Sequence, residues 1–590
     1  MRWTVVAPLL ALAGCLPETG DDQPIVECEH SNDCNQAAGE VCEVGVCWGD
    51  PPVGTYAAVL APPAELRGRL VKTAIPTLSM DPDGTLGNGV DHALSFDAAV
   101  EVRGVVSIPC PASVAGCSGR LGLAGQLAWS RPAAFAGGPR LTDTVDVGAD
   151  GSFTIDVARP RVGAPLPFTV TFTPSQLAGP DGWAPAQFLA PASADVELDA
   201  GAIDLDTGVI TRDLAFDPAT QRVVHGRIVR PIADGPVQGW RVSGEVVTNP
   251  TLGARQVAST LVVTDELGEF DLRVRADTPI VDLVVAPPAT AELEHRPSVR
   301  LRDVVVGAAL PDLQIPLLGQ PRSAVIDVRG VDGSGATMAI DGATVVVRLD
   351  QPLGGGAALV LEARATTLGG RASLPLFPVL DAVALPYKVD VLPPPGSQQA
   401  ARYGTPLTVG TALGVALPRR LALTGRVRDH EGFPVAGAAV TAAVSQASLC
   451  VLSSDATRIA LGQAPTQATT NPKGEFTMYV DGDLAGVDLT YDLTVRPASG
   501  DLRPEWTFVD RDPRRGGDLE LPDAAHVRAL LLSADHGAVT SAAITVYELL
   551  ADPTGCASGF GPAGGVAVVR GRGESDDLGS APVVLPRPAP

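Results

Sequence analysis

LTGRVRDHEGFPVAGAAVTAAV at 423–444, TTNPKGEFTMYV at 469–480 and LTYDLTVRP at 489–497 form the stretch that decides the fold. Leu421, Leu423, Gly425 and Val427 alternate with polar partners, and Leu489, Tyr491, Leu493 and Val495 do the same. Side chains two apart on a strand share a face, so alternation of this length means strands with one buried face. Lys473-Gly474 supplies turn chemistry between them. Phe168, Val170 and Phe172 repeat the alternation, and Asp150-Gly151 and Asp332-Gly333 repeat the turns. No stretch shows an apolar 3.6-residue period with caps, so the chain is expected to be all-β.

Working outward, the pattern recurs. An apolar strand runs into a small residue at Gly104 (VEVRGVVSI), Gly226 (VVHGRIV), Gly330 (VIDVRGVD) and Gly425, with a fainter copy that puts Ala529 in that position. A turn followed by a strand comes next, at Phe153, Phe270 and Phe476, with weaker copies at Leu374 and Pro582. A late strand ending in proline closes several units, as at FTVTFTP174 and YDLTVRP497. The copies lie about 100 residues apart, too long for a solenoid repeat and right for tandem domains. The expected architecture is a tandem array of about five antiparallel β-sandwiches of about seven strands each. Their expected bounds are 91–205, 206–312, 313–410, 411–515 and, in part, 516–590. If each folds by itself, a protease should cut near residues 200, 300, 405 and 510.

The 423–497 stretch resembles the carboxypeptidase regulatory-like family, a transthyretin-like β-sandwich. Gly425, Val427, Pro434, Val435, Gly437, Ala438, Gly474 and Phe476 carry the resemblance. The 224–288 unit keeps Gly226, Ile228, Pro236, Val237, Gly239, Gly268 and Phe270, with Trp240 in place of a small residue. The first and last units fit poorly. The resemblance implies an accessory or structural domain with no shared active site.

The chain carries 43 Lys+Arg against 67 Asp+Glu, a net charge of −24. That opposes nucleic acid and anionic membrane surfaces as partners. Near the start, an apolar run ends in Leu12-Ala13-Gly14-Cys15, after Arg2 as the only charge. The run is too short to span a bilayer and fits a secretory signal. The four residues resemble the lipobox of bacterial lipoproteins. That resemblance implies a signal peptide at 1–14, cleavage before Cys15, lipidation (palmitate) of its thiol, and a tether at 15–27. Leu16 after the cysteine resembles outer-membrane sorting. LPETG at 16–20 matches a sortase signal, but it sits far from a C-terminus with an apolar tail and is set aside.

The nine cysteines divide into Cys15, a cluster at 28–50 (Cys28, Cys34, Cys42, Cys47), the close pair Cys110 and Cys117, and Cys450 with Cys556. One lipidated thiol and eight that can pair suit an oxidising, exported location. The cluster is too small for an apolar core and needs cross-links. Zinc is the alternative, but C-x5-C-x7-C-x4-C lacks the C-x2-C knuckles usual for it. Four cysteines allow three pairings. The cluster resembles four-cysteine modules that follow the lipid site of exported bacterial proteins, and this resemblance implies Cys28–Cys42 and Cys34–Cys47. Cys110–Cys117 would pin a hairpin loop. Cys450–Cys556 would tie the fourth unit to the fifth.

Residues 51–90 read as a linker with an acidic loop. Within MDPDGTLGNGVDH, residues 80–92, Asp81, Asp83, Asn88 and Asp91 offer oxygen ligands of the kind calcium takes, although the spacing is not that of an EF-hand. No G-x-S-x-G elbow or P-loop is present, and His430-Glu431 leads into a turn rather than a helical zinc motif. No cofactor is expected beyond that calcium. The sequence points to a non-enzymatic surface lipoprotein with an envelope protein or polysaccharide as partner. The alternatives are a carbohydrate-binding protein, with Trp129, Trp183, Trp240 and Trp506 as the aromatic residues available, and an enzyme with an unrecognised site.

Overall fold

The computed structural model describes residues 28–587, apart from 90, 179–182, 230–237, 250–253, 287–298, 308–312, 315–320, 333–334, 355–356, 381–382, 395, 453–464, 485, 499 and 551–565. Among the described residues the regular structure is almost wholly strand, and the strands pack as five β-sandwiches on one plan. The fourth shows the plan. Its first strand, Leu421–Arg428, pairs antiparallel with the fourth, Glu475–Val480, and parallel with the seventh, Gly517–Glu520. The facing sheet runs Thr466–Thr469, Ala439–Val444, Tyr491–Arg496, Trp506–Arg511. The alternating residues Leu423, Val427, Val440, Leu493, Val495 and Phe476 fill the space between.

The glycine and phenylalanine marks prove to be cross-strand partners. Gly104 lies opposite Phe153, Gly226 opposite Phe270 and Gly425 opposite Phe476. A Cβ on Gly226 would sit 2.3 Å from the Phe270 ring, and one on Gly425 would sit 2.4 Å from the Gly517 carbonyl. The aromatic ring occupies the space that the missing side chain leaves. The third unit departs from the alignment on Gly330. There the equivalent pair is Ile326 opposite Ala372, with large and small residues exchanged. The fifth places Ala529 opposite Ala581.

Residues 56–95, expected as linker and acidic loop up to 90 and as the start of the first sandwich from 91, instead supply three strand positions of the last sandwich. The C-terminal segment supplies only its first four strands: Asp523–Leu532, Ala543–Leu550, Val566–Glu574 and Ser580–Arg587. Tyr56–Ala61 pairs with Ala543–Leu550 where the fifth strand belongs, and Thr73–Ile75 takes the sixth place. Thr85–Gly87 and Leu94–Ser95 run parallel to Asp523–Leu532 where the seventh belongs. The core mixes the two ends: Tyr56, Leu60, Leu86, Leu94 and Phe96 pack with Val527, Leu531, Ile544, Val546 and Leu585. The acidic loop is a hairpin that carries the fully buried Leu86.

The second and third sandwiches are not separate beads either. Val299–Val305 pairs with Ile280–Ala286 on one side and with Ala357–Thr366 on the other. This makes one nine-stranded sheet, and one apolar core runs from Val224 to Leu417. Cuts near 300 and 405 would therefore fall in strands, Val299–Val305 and Arg402–Leu407. The expectation of independent folding fails here because each end strand still has an unpaired backbone edge that a neighbour can use.

Each sandwich also touches the next, and the fifth touches the first. Gln221 exchanges hydrogen bonds with the backbone of Ala190 at the first junction. Arg302 meets Asp350 at the second, and Gln398 donates to the Tyr479 hydroxyl at the third. Arg570 lies over the Trp506 ring at the fourth. At the fifth, Phe135 packs on Tyr547, and Arg131 reaches Asp97 and the Lys72 carbonyl. The contacts form a closed cycle.

The buried tyrosines give this packing a pH signature. Burial pushes the Tyr56 hydroxyl up to about 12, and nearby Glu548 adds to the shift. Burial also raises Tyr387, Tyr403 and Tyr491. Unfolded tyrosines titrate near 10. Below that pH both states keep the proton and stability is intact. Above it the unfolded chain releases protons that the folded chain holds, so stability falls as pH rises through about 12. Absorbance from these four tyrosines, read in a variant carrying Tyr479→Phe and Tyr547→Phe, should therefore rise together with loss of the β-sheet circular dichroism. Tyrosinate formation at pH 10 in that variant with the fold intact would contradict this.

Candidate functional site

A dense polar constellation among the described residues sits where the N-terminal module meets the last sandwich. Val41–Glu43 and Val46–Trp48 form a small hairpin, cross-linked by Cys28–Cys42 and Cys34–Cys47. Val44 at its tip has positive φ and is almost fully exposed. Trp48 bridges to His526 in the last sandwich, and the two rings meet edge-on. Arg528 lies over Trp48 and pairs with Glu43.

Arg587, at the end of the last described strand, is the hub. Its guanidinium meets Glu40 at 2.5 Å, Asp523 at 3.3 Å and Asp50 at 3.6 Å, and donates to the carbonyls of Gly49 and Asp50. Burial works against its charge, yet these three carboxylates hold it more firmly protonated than an ordinary arginine. Glu40 is itself buried and also accepts from the Asn35 amide. A planar, multi-donor cation suits such a clasp. The sequence reading missed Arg587 because its partner Glu40 lies 547 positions away.

The other expected site residues fall as follows. Cys15 lies outside the described residues. Cys110 is bonded to Cys117 across the loop after Ala99–Pro109. Cys450 belongs to the short helix Gln446–Val451, but its side chain and all of Cys556 lie outside the described residues. The Sγ atoms of Cys28, Cys34 and Cys47 lie within 4.8 Å of one another, the only such metal-type group among the described residues. All three are spent in disulfides, which leaves the zinc alternative without thiolates.

Three of the four groups proposed for calcium are engaged within their hairpin. Asp83 accepts from the Thr85 amide at 3.0 Å and Asn88 from the Asp91 amide at 2.9 Å, while Asp81 pairs with His92 at 2.7 Å. Asp81, Asp83 and Asp91 do not converge on one point among the described residues. The tryptophans are spent likewise. Trp129 and Trp240 are core residues, Trp183 packs edge-on against Phe188, and Trp506 is covered by Arg570.

A cleft of about 260 Å³ opens at the junction of the first two sandwiches, beside Phe216, Gln221, Arg275 and Asp277. Its charged pair is already matched: Arg275 donates to Asp277 at 2.7 Å, and that hydrogen bond keeps the carboxyl below its usual range. Among the described residues no helix is long and apolar enough to cross a membrane.

No protein-family model matches the chain, and no curated protein does. Solved structures do show similarity. One is the full-length RrgB pilus protein of Streptococcus pneumoniae, at 11% identity over 70% of this chain and 93% of that chain, with a TM-score of 0.18. Another is the shaft pilin SpaA of Lactobacillus rhamnosus GG, at 15% identity over 34% and 97%, with a TM-score of 0.19. A third is a pair of B repeats of the collagen-binding protein of Staphylococcus aureus, at 10% identity over 72% and 98%, with a TM-score of 0.13. Scores this low carry no argument for this chain, and the carboxypeptidase regulatory-like resemblance of 423–497 rests on its own motif residues.

Proposed function

We infer that this chain is an exported, non-enzymatic envelope protein. In this reading lipid on Cys15 holds it, and its closed five-sandwich scaffold presents sheet faces and loops to a protein or polysaccharide partner. The observation that carries the reading is the completion of the last sandwich by residues 56–95. It brings the disulfide module and the far end of the array to one place. A scaffold whose ends meet is a platform rather than an extended stalk. Twelve residues between Cys15 and Cys28 allow a reach of at most about 40 Å from the lipid. Each buried methylene of the anchor contributes roughly 0.8 kcal/mol to membrane binding.

The test combines palmitate labelling with protease shaving of intact cells. The native chain should take up label, remain in the membrane fraction and be accessible from outside. Cys15→Ser should lose the label and leave the membrane fraction. Label that persists on Cys15→Ser would end the lipoprotein reading. Consistent substrate turnover by the purified protein would end the non-enzymatic one.

A further inference from the structure

We propose that the last sandwich is a docking site for a second copy of this chain. Two molecules would exchange residues 56–95 reciprocally and close as a dimer of ten sandwiches. The acceptor is the four-strand set of 523–587, and the donor is the set at 56–95. Neither has a core alone, since Leu60, Leu86, Leu94 and Phe96 come from one and Val527, Leu531, Ile544 and Leu585 from the other.

The two sets are joined in space only by non-covalent contacts. The described disulfides are all local, closing sequence separations of 14, 13 and 7 residues. No described covalent link compels the donor to serve its own chain. A donor from another copy brings the same residues, so Val59 opposite Thr545, Phe135 against Tyr547 and Glu40 against Arg587 are all remade between molecules.

The donor's own attachment is unchanged by exchange. The Val71 amide still donates to the Asp97 carbonyl and the Ala99 amide to the Arg69 carbonyl, because these groups travel together. Adjustment falls on the junctions that side chains hold, such as Gln398 with Tyr479 and Arg570 on Trp506. Closure also selects the product. An open chain of exchanged copies would leave one acceptor and one donor unpaired at its ends, each exposing half a core. Reciprocal exchange leaves none, as symmetric swapped dimers do generally. The order of synthesis gives the opportunity, because 56–95 emerges early and waits for strands beginning at Asp523, during which another copy can supply them.

Two full-length variants test this, Val59→Cys and Thr545→Cys, carrying different tags and refolded together. These residues face each other on the outer side of the shared sheet. The expected result is a species of twice the monomer mass by light scattering. Its share should rise with refolding concentration, and a disulfide should join the two tags. Native chains refolded separately and then mixed should not exchange until denatured. Monomer mass at every concentration, or a dimer without the inter-tag disulfide, overturns the proposal. Neither readout depends on lipid at Cys15, so failure here leaves the reading of the anchor untouched.

Discussion

Deletion of residues 56–95 is expected to unfold the opposite end of the chain. Asp523–Leu532, Ala543–Leu550 and Ser580–Arg587 should lose their amide protection, while Leu421–Arg428 and Glu475–Val480 keep theirs. Tyr56, Leu60, Leu70, Ile75, Leu86, Leu94 and Phe96 are all buried in the shared core. At about 1.5–3 kcal/mol for each large apolar side chain, their removal costs roughly 10–20 kcal/mol as an upper estimate. A domain's whole stability is about 5–15 kcal/mol, so the remaining four strands have no margin. A milder change points the same way. Leu86→Ala should cost about 2–5 kcal/mol and loosen both chain ends together, since Leu86 lies beside Ala529 in the parallel pairing. Hydrogen exchange read by mass spectrometry decides the matter. Protection of 523–532 that survives the deletion would mean the C-terminal strands fold without their donor.

Leu301→Ala is the second large effect. Leu301 is buried on Val299–Val305, the strand shared by the second and third sandwiches, opposite Leu283 on one side and Leu359 on the other. Truncation should cost about 2–5 kcal/mol. The loss should appear at once in Arg222–Val229 and in Arg322–Val331, because one core spans both units. Arg302 with Asp350 adds a charged contact across the same seam. Limited proteolysis of the native chain should accordingly give a fragment covering about 222–417 rather than two of about 100 residues. Two separate melting transitions for these halves, or a dominant cut within 299–305, would contradict the shared core.

Much of the fold was legible in the residues. Alternation at 421–427 and 489–495 announced strands with one wet face, and the recurring Gly and Phe announced repeats. The register showed why the two marks travel together: Gly425 and Phe476 are opposite residues, and one makes room for the other. Where size is exchanged between partners, as at Ile326 and Ala372, an alignment on glycine slid to Gly330 instead. The site was less legible. Arg587 has nothing near it in sequence to mark it as a hub, and Trp240 looked available until its burial was known. Asp83 and Asn88 have the right atoms for a cation, but a turn uses the same atoms to hold backbone amides.

The sequence by itself determined that this is an all-β chain of repeated sandwiches, acidic and with eight cysteines able to pair. Side-chain periodicity, turn residues and cysteine spacing are local, and each acts within a few residues of itself. Only the tertiary structure decided which strands share a sheet. Backbone edges pair without regard to side-chain identity, so alternation shows that a strand has a partner but not which one. Tyr56–Ala61 therefore completes a sandwich begun at Asp523, and Val299–Val305 fuses two units into one.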